Sequence, residues 1–298
     1  MSGFRQGAVR PFGRQVRREQ RSMRTTPAGE LPSPDAAMAI AERLVAARRN
    51  RCSMAAYPGR APDSLAQAYD VQDAAIGMVS DAVAGWKVGG VPASLQPLLG
   101  AARVAGPVFS RNVWLANSGA KLRLPAIVGG FAAVEAEFVA CIGSDVDPRK
   151  THWTHDEAAA LIDRVFVGIE LAGSPLAMIN ELGPTVSASD FGANAGLVVG
   201  PEVGNWRDGI GRIEVSTIIN GDCVGAGDAG SLNGGVVASV RFLLEHCASR
   251  DRPLNAGALI STGALTGVHR VSPGDDITCV FAGVARIDGE IVQAEHAA

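Results

Sequence analysis

The sequence predicts an α+β fold, in which a β-rich and mostly antiparallel core follows a small N-terminal helical region. Short β-like segments dominate from Gly85 onward, and the dipeptides Asn220-Gly221 and Asp288-Gly289 are typical of tight hairpin turns. Only two helical patterns interrupt them, one following Thr154 and one near 235–249. The regular alternation of strands and helices that builds a doubly wound parallel sheet is missing, which leaves the α+β class.

Residues 1–34 differ from the rest of the chain. They hold seven Arg and two Glu among Pro, Gly, Ser and Thr, without apolar periodicity. This composition predicts a disordered basic tail, and the lack of an apolar segment argues against a secretory signal. A functionless tail is the preferred interpretation. An organelle transit peptide, a basic arm for nucleic acid, and an extension upstream of a biological start at Met23 stay open.

Residues 35–84 form the predicted helical region. Ser33-Pro34-Asp35 has the cap, proline and acid of a helix start, and a basic cluster of Arg48, Arg49 and Arg51 ends that helix. Asp63 or Ser64 is expected to cap a second helix. Residues 85–298 are then the predicted β-rich catalytic domain, with strands near 85–89, 133–142, 166–172, 195–199, 212–219, 222–225, 258–262, 277–287 and 290–293. In its first helix, Thr154 opens a capping box with Glu157, and the helical pattern extends through Leu161, Ile162 and Val165.

Glu135 and Glu137 are the most informative residues of this domain. They stand one residue apart in the strand-like run Ala133-Val134-Glu135-Ala136-Glu137-Phe138-Val139. Side chains of a strand alternate between its faces, so both carboxylates point the same way. Two neighbouring anions on an apolar strand resist burial, and a hard divalent cation would compensate them. The alternative is a solvated strand face.

Glu170 and Lys87 extend this candidate site. Glu170 ends the apolar run Phe166-Val167-Gly168-Ile169, and three carboxylates together suit Mg²⁺ or Mn²⁺. The alternative for Glu170 is an ion pair with an arginine at a strand edge. Lys87 is flanked by glycines in Gly85-Trp86-Lys87-Val88-Gly89-Gly90, so it either serves an anion or reaches solvent.

Several other patterns argue against competing classes. The stretch 225–230 matches G-x-G-x-x-G, but it follows a hairpin instead of opening a βαβ unit, which argues against dinucleotide binding. His152 and His155 are better explained by the capping box than by a metal. Five scattered cysteines indicate reduced thiols in the cytoplasm, and a net charge of −3 argues against nucleic-acid or membrane partners.

Taken in order, the motifs resemble the 2-keto-4-pentenoate hydratase family of the fumarylacetoacetate hydrolase (FAH) superfamily. The resemblance covers roughly 35–292. It rests on these segments: Gly85-Trp86-Lys87-Val88-Gly89, Gly106-Pro107-Val108-Phe109, Val134-Glu135-Ala136-Glu137-Phe138, Gly168-Ile169-Glu170, Asp190 with Asn194-Ala195-Gly196-Leu197-Val198-Val199-Gly200, Ser261-Thr262-Gly263-Ala264-Leu265-Thr266-Gly267, and Pro273-Gly274-Asp275.

The resemblance implies an FAH-like mixed β-roll and a homo-oligomer. It implies that Glu135, Glu137 and Glu170 hold Mg²⁺ or Mn²⁺ and that a small-molecule 2-oxo acid chelates this ion. Lys87 would lie beside the ligand. Asp190, Thr262 and Gly263 would belong to the same substrate pocket.

The chain also departs from this family at several polar positions. Ser110-Arg111-Asn112 stands where hydratases usually carry an Asp, and Arg111 could hold a second carboxylate of the substrate. Gly235-Val236 and Gly257-Ala258 likewise stand at two places where hydratases of this family carry polar residues. The expected activity is a metal-dependent, hydratase-like lyase acting on a 2-oxo or 2-hydroxy-dienoic acid. A decarboxylase or C–C hydrolase of a related diketo acid, and a catalytically silent scaffold protein, remain as alternatives.

Overall fold

Two mixed β-sheets form the core of the protein in a computed structural model that describes residues 34–116 and 120–295. The strands are, in chain order, β1 (Val83–Gly90), β2 (Arg103–Phe109), β3 (Val113–Leu115), β4 (Leu122–Ala126), β5 (Phe131–Ile142), β6 (Ile162–Ser174), β7 (Asn194–Glu202), β8 (Val215–Ile219), β9 (Asp222–Gly227), β10 (Leu259–Ser261), β11 (His269–Arg270), β12 (Asp276–Phe281) and β13 (Ala285–Gln293). The helices are α1 (Pro34–Arg49), α2 (Leu65–Gly77), α3 (Gln96–Leu99), α4 (His155–Leu161), α5 (Ile179–Leu182), α6 (Pro184–Ser189), α7 (Trp206–Gly209) and α8 (Gly235–Ala248).

The larger sheet has the strand order β2-β1-β10-β5-β6-β7-β3, and β11 pairs with the first half of β5. The smaller sheet has the order β4-β13-β12-β8-β9. The pairs β1/β10, β3/β7 and β4/β13 are parallel, and the other pairs are antiparallel. This mixed, mainly antiparallel arrangement with two N-terminal helices confirms the predicted fold class.

The strand β5 lies at the centre of the hydrophobic core. All of its side chains are buried, because β10 and β6 flank it and the second sheet covers it. Phe138 on β5 and Phe281 on β12 pack with ring centroids 6.1 Å apart and ring planes tilted by 51°, which joins the two sheets. Leu44 of α1 and Ile76 of α2 belong to the same core, and α8 packs against β1 and β5.

Local sequence signals explain most element boundaries. Ser64, one of the two predicted caps, accepts a hydrogen bond from the Gln67 backbone N–H at the start of α2. Thr154 and Glu157 form the predicted capping box of α4. The Asn220-Gly221 hairpin joins β8 to β9 with both residues at positive φ, 52° and 92°, as a primed turn requires.

Two element predictions are wrong. Asp288-Gly289 lies inside β13, where Gly289 pairs with Ile277 of β12 and Leu122 of β4. The chain reverses earlier, and Gly283 provides the positive φ of 73°. The helix α4 ends at Leu161, so Ile162 and Val165 belong to β6 instead. Pairing with Ile142 and Ala140 of β5 outweighs the helical spacing of these apolar residues.

The predicted basic tail of residues 1–34 lies outside the described residues, apart from the backbone of Pro34. Within the described part of the chain, no helix has the length and apolarity that crossing a bilayer would require.

Candidate metal centre and active-site cavity

Strand register brings the three predicted glutamates together. Glu135 on β5 stands directly opposite Glu170 on β6, and Glu137 follows two residues later on the same face of β5. One carboxylate oxygen from each lies within 4.8 Å of the others. Glu137 and Glu170 are fully buried, and Glu135 is 7% exposed. The spacing in the sequence therefore produces a compact, buried cluster of three acids.

This cluster is electrostatically unfavourable without a cation. Burial, followed by repulsion from Glu170, raises the pKa of Glu135 to about 8, although Lys87 acts in the opposite direction. Burial and the charges of Glu170 and Glu135 raise the pKa of Glu137 well above its usual range, against hydrogen bonds that favour its anion. Bringing three anions together in a low-dielectric core costs free energy, which a cation would recover.

Neighbouring strands hold the carboxylates in place. Glu137 Oε2 accepts a hydrogen bond from the Ser261 hydroxyl, and another from the Gly263 backbone N–H at 3.0 Å. Gly263 adopts a φ of 116°, a conformation that favours glycine. Glu170 Oε1 accepts from Asn194 Nδ2 at 3.0 Å and lies 3.5 Å from Lys87 Nζ. Each of these two acids is thus oriented through one oxygen.

The other oxygen of each acid is left for a ligand. Glu137 Oε1 and Glu170 Oε2 are buried and have no hydrogen-bond partner among the described residues. Unpaired buried oxygens are rare because each costs free energy. An all-oxygen donor set of three carboxylates matches hard divalent cations such as Mg²⁺ or Mn²⁺. The residues present therefore fit the expected ion.

Lys87 brings a positive charge to this cluster. Its side chain is 8% exposed, and it extends from β1 towards β6. Burial lowers the pKa of Lys87, but Glu170, Glu135 and Glu137 together more than offset that effect, and the net pKa is raised. Lys87 is therefore charged beside the three acids, and it neutralises part of their charge.

A cavity of about 550 Å³ opens beside these groups. Lys87, Glu135, Thr262 and Gly263 all line it, so four of the predicted site residues share one wall. The remaining lining combines apolar and polar side chains, among them Val88, Phe131, Leu232, Arg103, Asn180, Ser187 and Asn233. Thr262 donates its hydroxyl to Phe138 O at 2.8 Å, so its role at the wall is to shape the backbone.

Asp190 and Arg111 lie elsewhere. Asp190 is buried, and its carboxylate accepts hydrogen bonds from Arg48 Nε at 2.6 Å and Ser174 Oγ at 2.5 Å. Arg111 lines a second cavity, of about 350 Å³, together with Arg48. His152 and His155 are exposed around the start of α4, and neither lines the cavity of the three glutamates.

The residues that orient the acids were not predicted as such. Ser261 and Asn194 stand within quoted motifs, but only the strand register shows that they contact Glu137 and Glu170. The sequence predicts only that Arg48 lies at a helix end, which it does. In the structure it also donates to the backbone oxygens of Asn194 at 2.8 Å and Gly173 at 2.9 Å. Long-range contacts of this kind leave no local sequence signal.

Comparison with known proteins agrees with this geometry. The model of the fumarylacetoacetate (FAA) hydrolase C-terminal family matches residues 102–292, which contain all three glutamates. Over 157 residues the chain is 26% identical to a 2-keto-4-pentenoate hydratase of Paraburkholderia xenovorans (strain LB400), covering 53% of this chain and 58% of the hydratase. Over 105 residues it is 28% identical to a 4-oxalocrotonate decarboxylase of Pseudomonas putida, covering 35% and 40% of the two chains. The matched segment thus spans little more than half the length of the hydratase.

Solved structures share the fold. A 4-oxalocrotonate decarboxylase from Pseudomonas putida G7, complexed with magnesium and adipate, has a TM-score of 0.72 at 21% identity and covers 87% of this chain and 98% of its own. A fumarylpyruvate hydrolase from Pseudomonas aeruginosa, in complex with Mn²⁺ and pyruvate, has a TM-score of 0.51 at 19% identity and covers 70% and 89%.

Proposed function

The chain belongs to the fumarylacetoacetate (FAA) hydrolase C-terminal family, and on this premise we propose that it is a divalent-metal-dependent, hydratase-like lyase. Its substrate would be a 2-oxo or 2-hydroxy-dienoic acid. One observation carries the proposal: two orphan carboxylate oxygens belong to a buried acidic cluster that adjoins a cavity also lined by Lys87. Similarity to a 2-keto-4-pentenoate hydratase supports the reaction class.

Glu135, Glu137 and Glu170 are the proposed ligands of Mg²⁺ or Mn²⁺, ions that occur in the related structures named above. When bound, such an ion would polarise the ketone of a 2-oxo acid and stabilise the negative charge of its enolate. Ser261, Gly263 and Asn194 fix two of the acids before any ligand arrives. This fixed geometry lowers the cost of reorganisation during the reaction.

Lys87 is the proposed acid–base group. It lines the cavity, and it lies 3.5 Å from Glu170. Once the carboxylate charge is compensated, the attraction that raises the pKa of Lys87 weakens, while burial still lowers it. Lys87 could then exchange a proton with the substrate carbon near neutral pH. The apolar wall of Val88, Phe131 and Leu232 would accept the hydrocarbon part of a diene.

A decarboxylase is the second candidate, and Arg103 favours it. Decarboxylation of a 2-oxo diacid requires a second carboxylate in the cavity, and Arg103 lines this cavity as a cation that could bind one. A C–C hydrolase would need a base for its water molecule. The exposed positions of His152 and His155 do not provide one there.

We also propose that the substrate is a free small molecule, that the enzyme is a cytoplasmic homo-oligomer, and that it has no nucleic-acid partner. The protein would then take part in the breakdown of aromatic compounds. The names of the related hydratase and decarboxylase indicate that those enzymes act on oxo acids of this kind.

The test follows deuterium exchange at C3 of 2-oxopentanoate by proton NMR, with and without Mg²⁺ or Mn²⁺. Exchange should require the metal, should disappear in Glu135→Gln, and should persist in Glu202→Gln, a matched change at an exposed glutamate. Product analysis with dienoate and diacid substrates then separates the candidates, since hydration adds water and decarboxylation releases carbon dioxide. Failure of the protein to bind either metal would overturn the enzyme assignment and favour the scaffold alternative.

A further inference from the structure

A second cavity, of about 350 Å³, is lined by Asn194, which contacts the metal cluster, and will be called the rear cavity. Phe131 and Ala172 line both this cavity and the one beside Lys87, so the two are separated by a thin wall. Its apolar lining includes Phe109 and Phe191, whose rings meet edge to face at 5.2 Å. Four arginines also line it, namely Arg48, Arg49, Arg51 and Arg111.

Three of these arginines are free to bind a ligand. The guanidinium groups of Arg49, Arg51 and Arg111 make no hydrogen bond or ion pair with any described residue, and all three residues are exposed. The acid that lines this cavity, Asp81, accepts hydrogen bonds from the backbone N–H groups of Ala82 and Arg111 at 2.9 Å. Positive charge is therefore in excess around an apolar floor, which suits a small organic anion.

The favourable interaction of basic residues with the C-terminus of a helix does not explain why all three of these arginines line the rear cavity. Basic residues at the end of α1 interact favourably with the helix dipole, which would explain Arg49. Arg51, however, follows the helix at a φ of 53°, a position that favours glycine, and keeps a long cationic side chain there. Arg111 comes from a different element, the short 3₁₀ turn Ser110–Asn112. Separate parts of the chain thus direct guanidinium groups to one cavity.

The rear cavity is connected to the metal cluster through Arg48. This side chain lines the cavity and donates to Asp190 Oδ1 at 2.6 Å and to Asn194 O at 2.8 Å. The Asn194 side chain in turn donates to Glu170 Oε1 at 3.0 Å. Two hydrogen bonds therefore join a wall of the rear cavity to a proposed metal ligand.

We propose that the rear cavity is a binding site for a small organic dianion, and that its occupancy changes the metal affinity of the glutamate cluster. Guanidinium groups pair with carboxylates and phosphates in the same bidentate manner, so a dicarboxylate and a phosphate ester share the required chemistry. A bound anion would draw Arg48 towards the cavity and so alter its hold on Asn194. The proposed anion binding does not depend on the proposed function, whereas the proposed effect of the anion on metal affinity rests on it.

Binding is tested by calorimetry on full-length protein stripped of metal on a chelating resin, with phthalate and inorganic phosphate as probes. We expect saturable binding that sodium chloride weakens. Arg111→Gln and Arg51→Gly should each weaken it by about tenfold, the typical effect of losing one charged hydrogen bond. Glycine suits the backbone at position 51, so that variant should fold. Arg60→Gln, a change at an exposed arginine paired with Asp63, should bind as the wild type does.

The relative affinities identify the ligand class. Tighter binding of phthalate indicates a dicarboxylate, and tighter binding of phosphate indicates a phosphate ester. Absence of saturable binding, or equal binding by all variants, would overturn the site. Sedimentation velocity that shows Arg111→Gln dissociating an oligomer, with neither probe bound, would assign this surface to a second copy of the chain instead.

The coupling is tested by titrating Mn²⁺ with and without saturating phthalate. We expect the Mn²⁺ dissociation constant to change by at least about fivefold, within the usual range of coupling between sites, and to stop responding in Arg111→Gln. An unchanged Mn²⁺ affinity would overturn the coupling. A protein that binds phthalate but no Mn²⁺ would overturn the proposed function and leave the anion site in place.

Discussion

At the scale of single residues, the neighbours of Glu135, Glu137 and Glu170 compensate the negative charge and the hydrogen-bonding capacity of these buried carboxylates only in part. Lys87 supplies one positive charge, and Ser261, Gly263 and Asn194 donate three hydrogen bonds to the six carboxylate oxygens. A core that served stability alone would favour apolar side chains at such positions. The imbalance is therefore best explained by a ligand that carries at least two positive charges.

Lys87→Met should separate proton transfer from metal binding. Removing the ammonium group leaves the three carboxylates unchanged, and it also removes a cation that competes with the metal. Mn²⁺ affinity should therefore be maintained or should rise, while metal-dependent exchange at C3 of 2-oxopentanoate should fall by about 10²- to 10⁴-fold. Calorimetry and proton NMR measure the two effects. Lys121→Met, at an exposed lysine, should change neither, and undiminished exchange in Lys87→Met would show that another group moves the proton.

At the scale of elements, the sequence pattern predicts the long elements β5 and α8, because β5 is buried along its whole length and α8 buries one face at helical spacing. The strand β5 and the helix α8 were both expected close to their observed ranges. The strand β2 was not, because glycine and proline interrupt its apolar run. The strands β3, β4 and β11 were not, because they are short and their pairing partners are distant in sequence. Asp288-Gly289 has the sequence of a turn, but pairing with two neighbouring strands keeps it extended.

Gly106→Ala tests the packing of β2 against the turn that precedes β7. A Cβ atom at residue 106 would lie 1.9 Å from the backbone oxygen of Phe191, so the two segments would have to separate. The free energy of unfolding should decrease by about 2 kcal/mol or more, as for other overpacked cores. Gly90→Ala is the matched control on the paired strand, since nothing lies within 4 Å of its added atom. Urea denaturation of both variants measures the difference, and equal stabilities would contradict the close contact.

His246 on α8 should make the protein sensitive to acid. Its ring packs between Tyr69 and Phe242 and contacts Arg250 Nη1 at 3.0 Å. Burial, then the charge of Arg250, lowers the pKa of His246 from 6.5 to about 3, although Asp73 acts in the opposite direction. Between these values the unfolded chain binds more protons than the folded chain, so stability decreases as the pH falls below 6.5.

His246→Gln should remove this contribution. Between pH 7 and pH 5 the wild type should lose about 1–2 kcal/mol of unfolding free energy more than the variant. Urea denaturation at several pH values measures the difference. His152→Gln, at an exposed histidine, should keep the pH dependence of the wild type. Parallel curves for the wild type and His246→Gln would show that the ring is already charged in the folded protein.

At the scale of the whole molecule, the sequence predicts the chemistry of the site better than its surroundings. Alternation along one strand places Glu135 and Glu137 on one face, and this needs no knowledge of the fold. The positions of Arg111 and Asp190 depend on how α1, β2 and the segment before β7 meet, which no local pattern encodes. The acids are thus encoded locally, whereas the residues that orient them are set by tertiary structure.

Metal binding should stabilise the entire folded chain, because the cluster joins the two central strands of the larger sheet. Without metal, the pKa of Glu135 is raised from 4.5 to about 8, and burial beside Glu170 and Glu135 raises the pKa of Glu137 well above its usual range. The folded chain then binds more protons than the unfolded chain across this interval, so metal-free stability should fall as the pH rises from 4.5 to 8. A cation held by the three carboxylates would take the place of these protons.

Mn²⁺ at one hundred times its dissociation constant should therefore add about 2.7 kcal/mol of unfolding free energy, which corresponds to a rise in melting temperature of roughly 5–10 °C. At a fixed Mn²⁺ concentration, the rise should be larger at pH 8 than at pH 6, because fewer protons must leave the carboxylates. Thermal unfolding followed by circular dichroism measures both effects. Metal-free Glu135→Gln should be more stable than the wild type at pH 8 and should gain little from Mn²⁺, whereas Glu202→Gln should match the wild type. An equal gain in Glu135→Gln would mean that the metal stabilises the protein from another site, since the neutral amide removes one of the three charges that the cluster would offer to the cation.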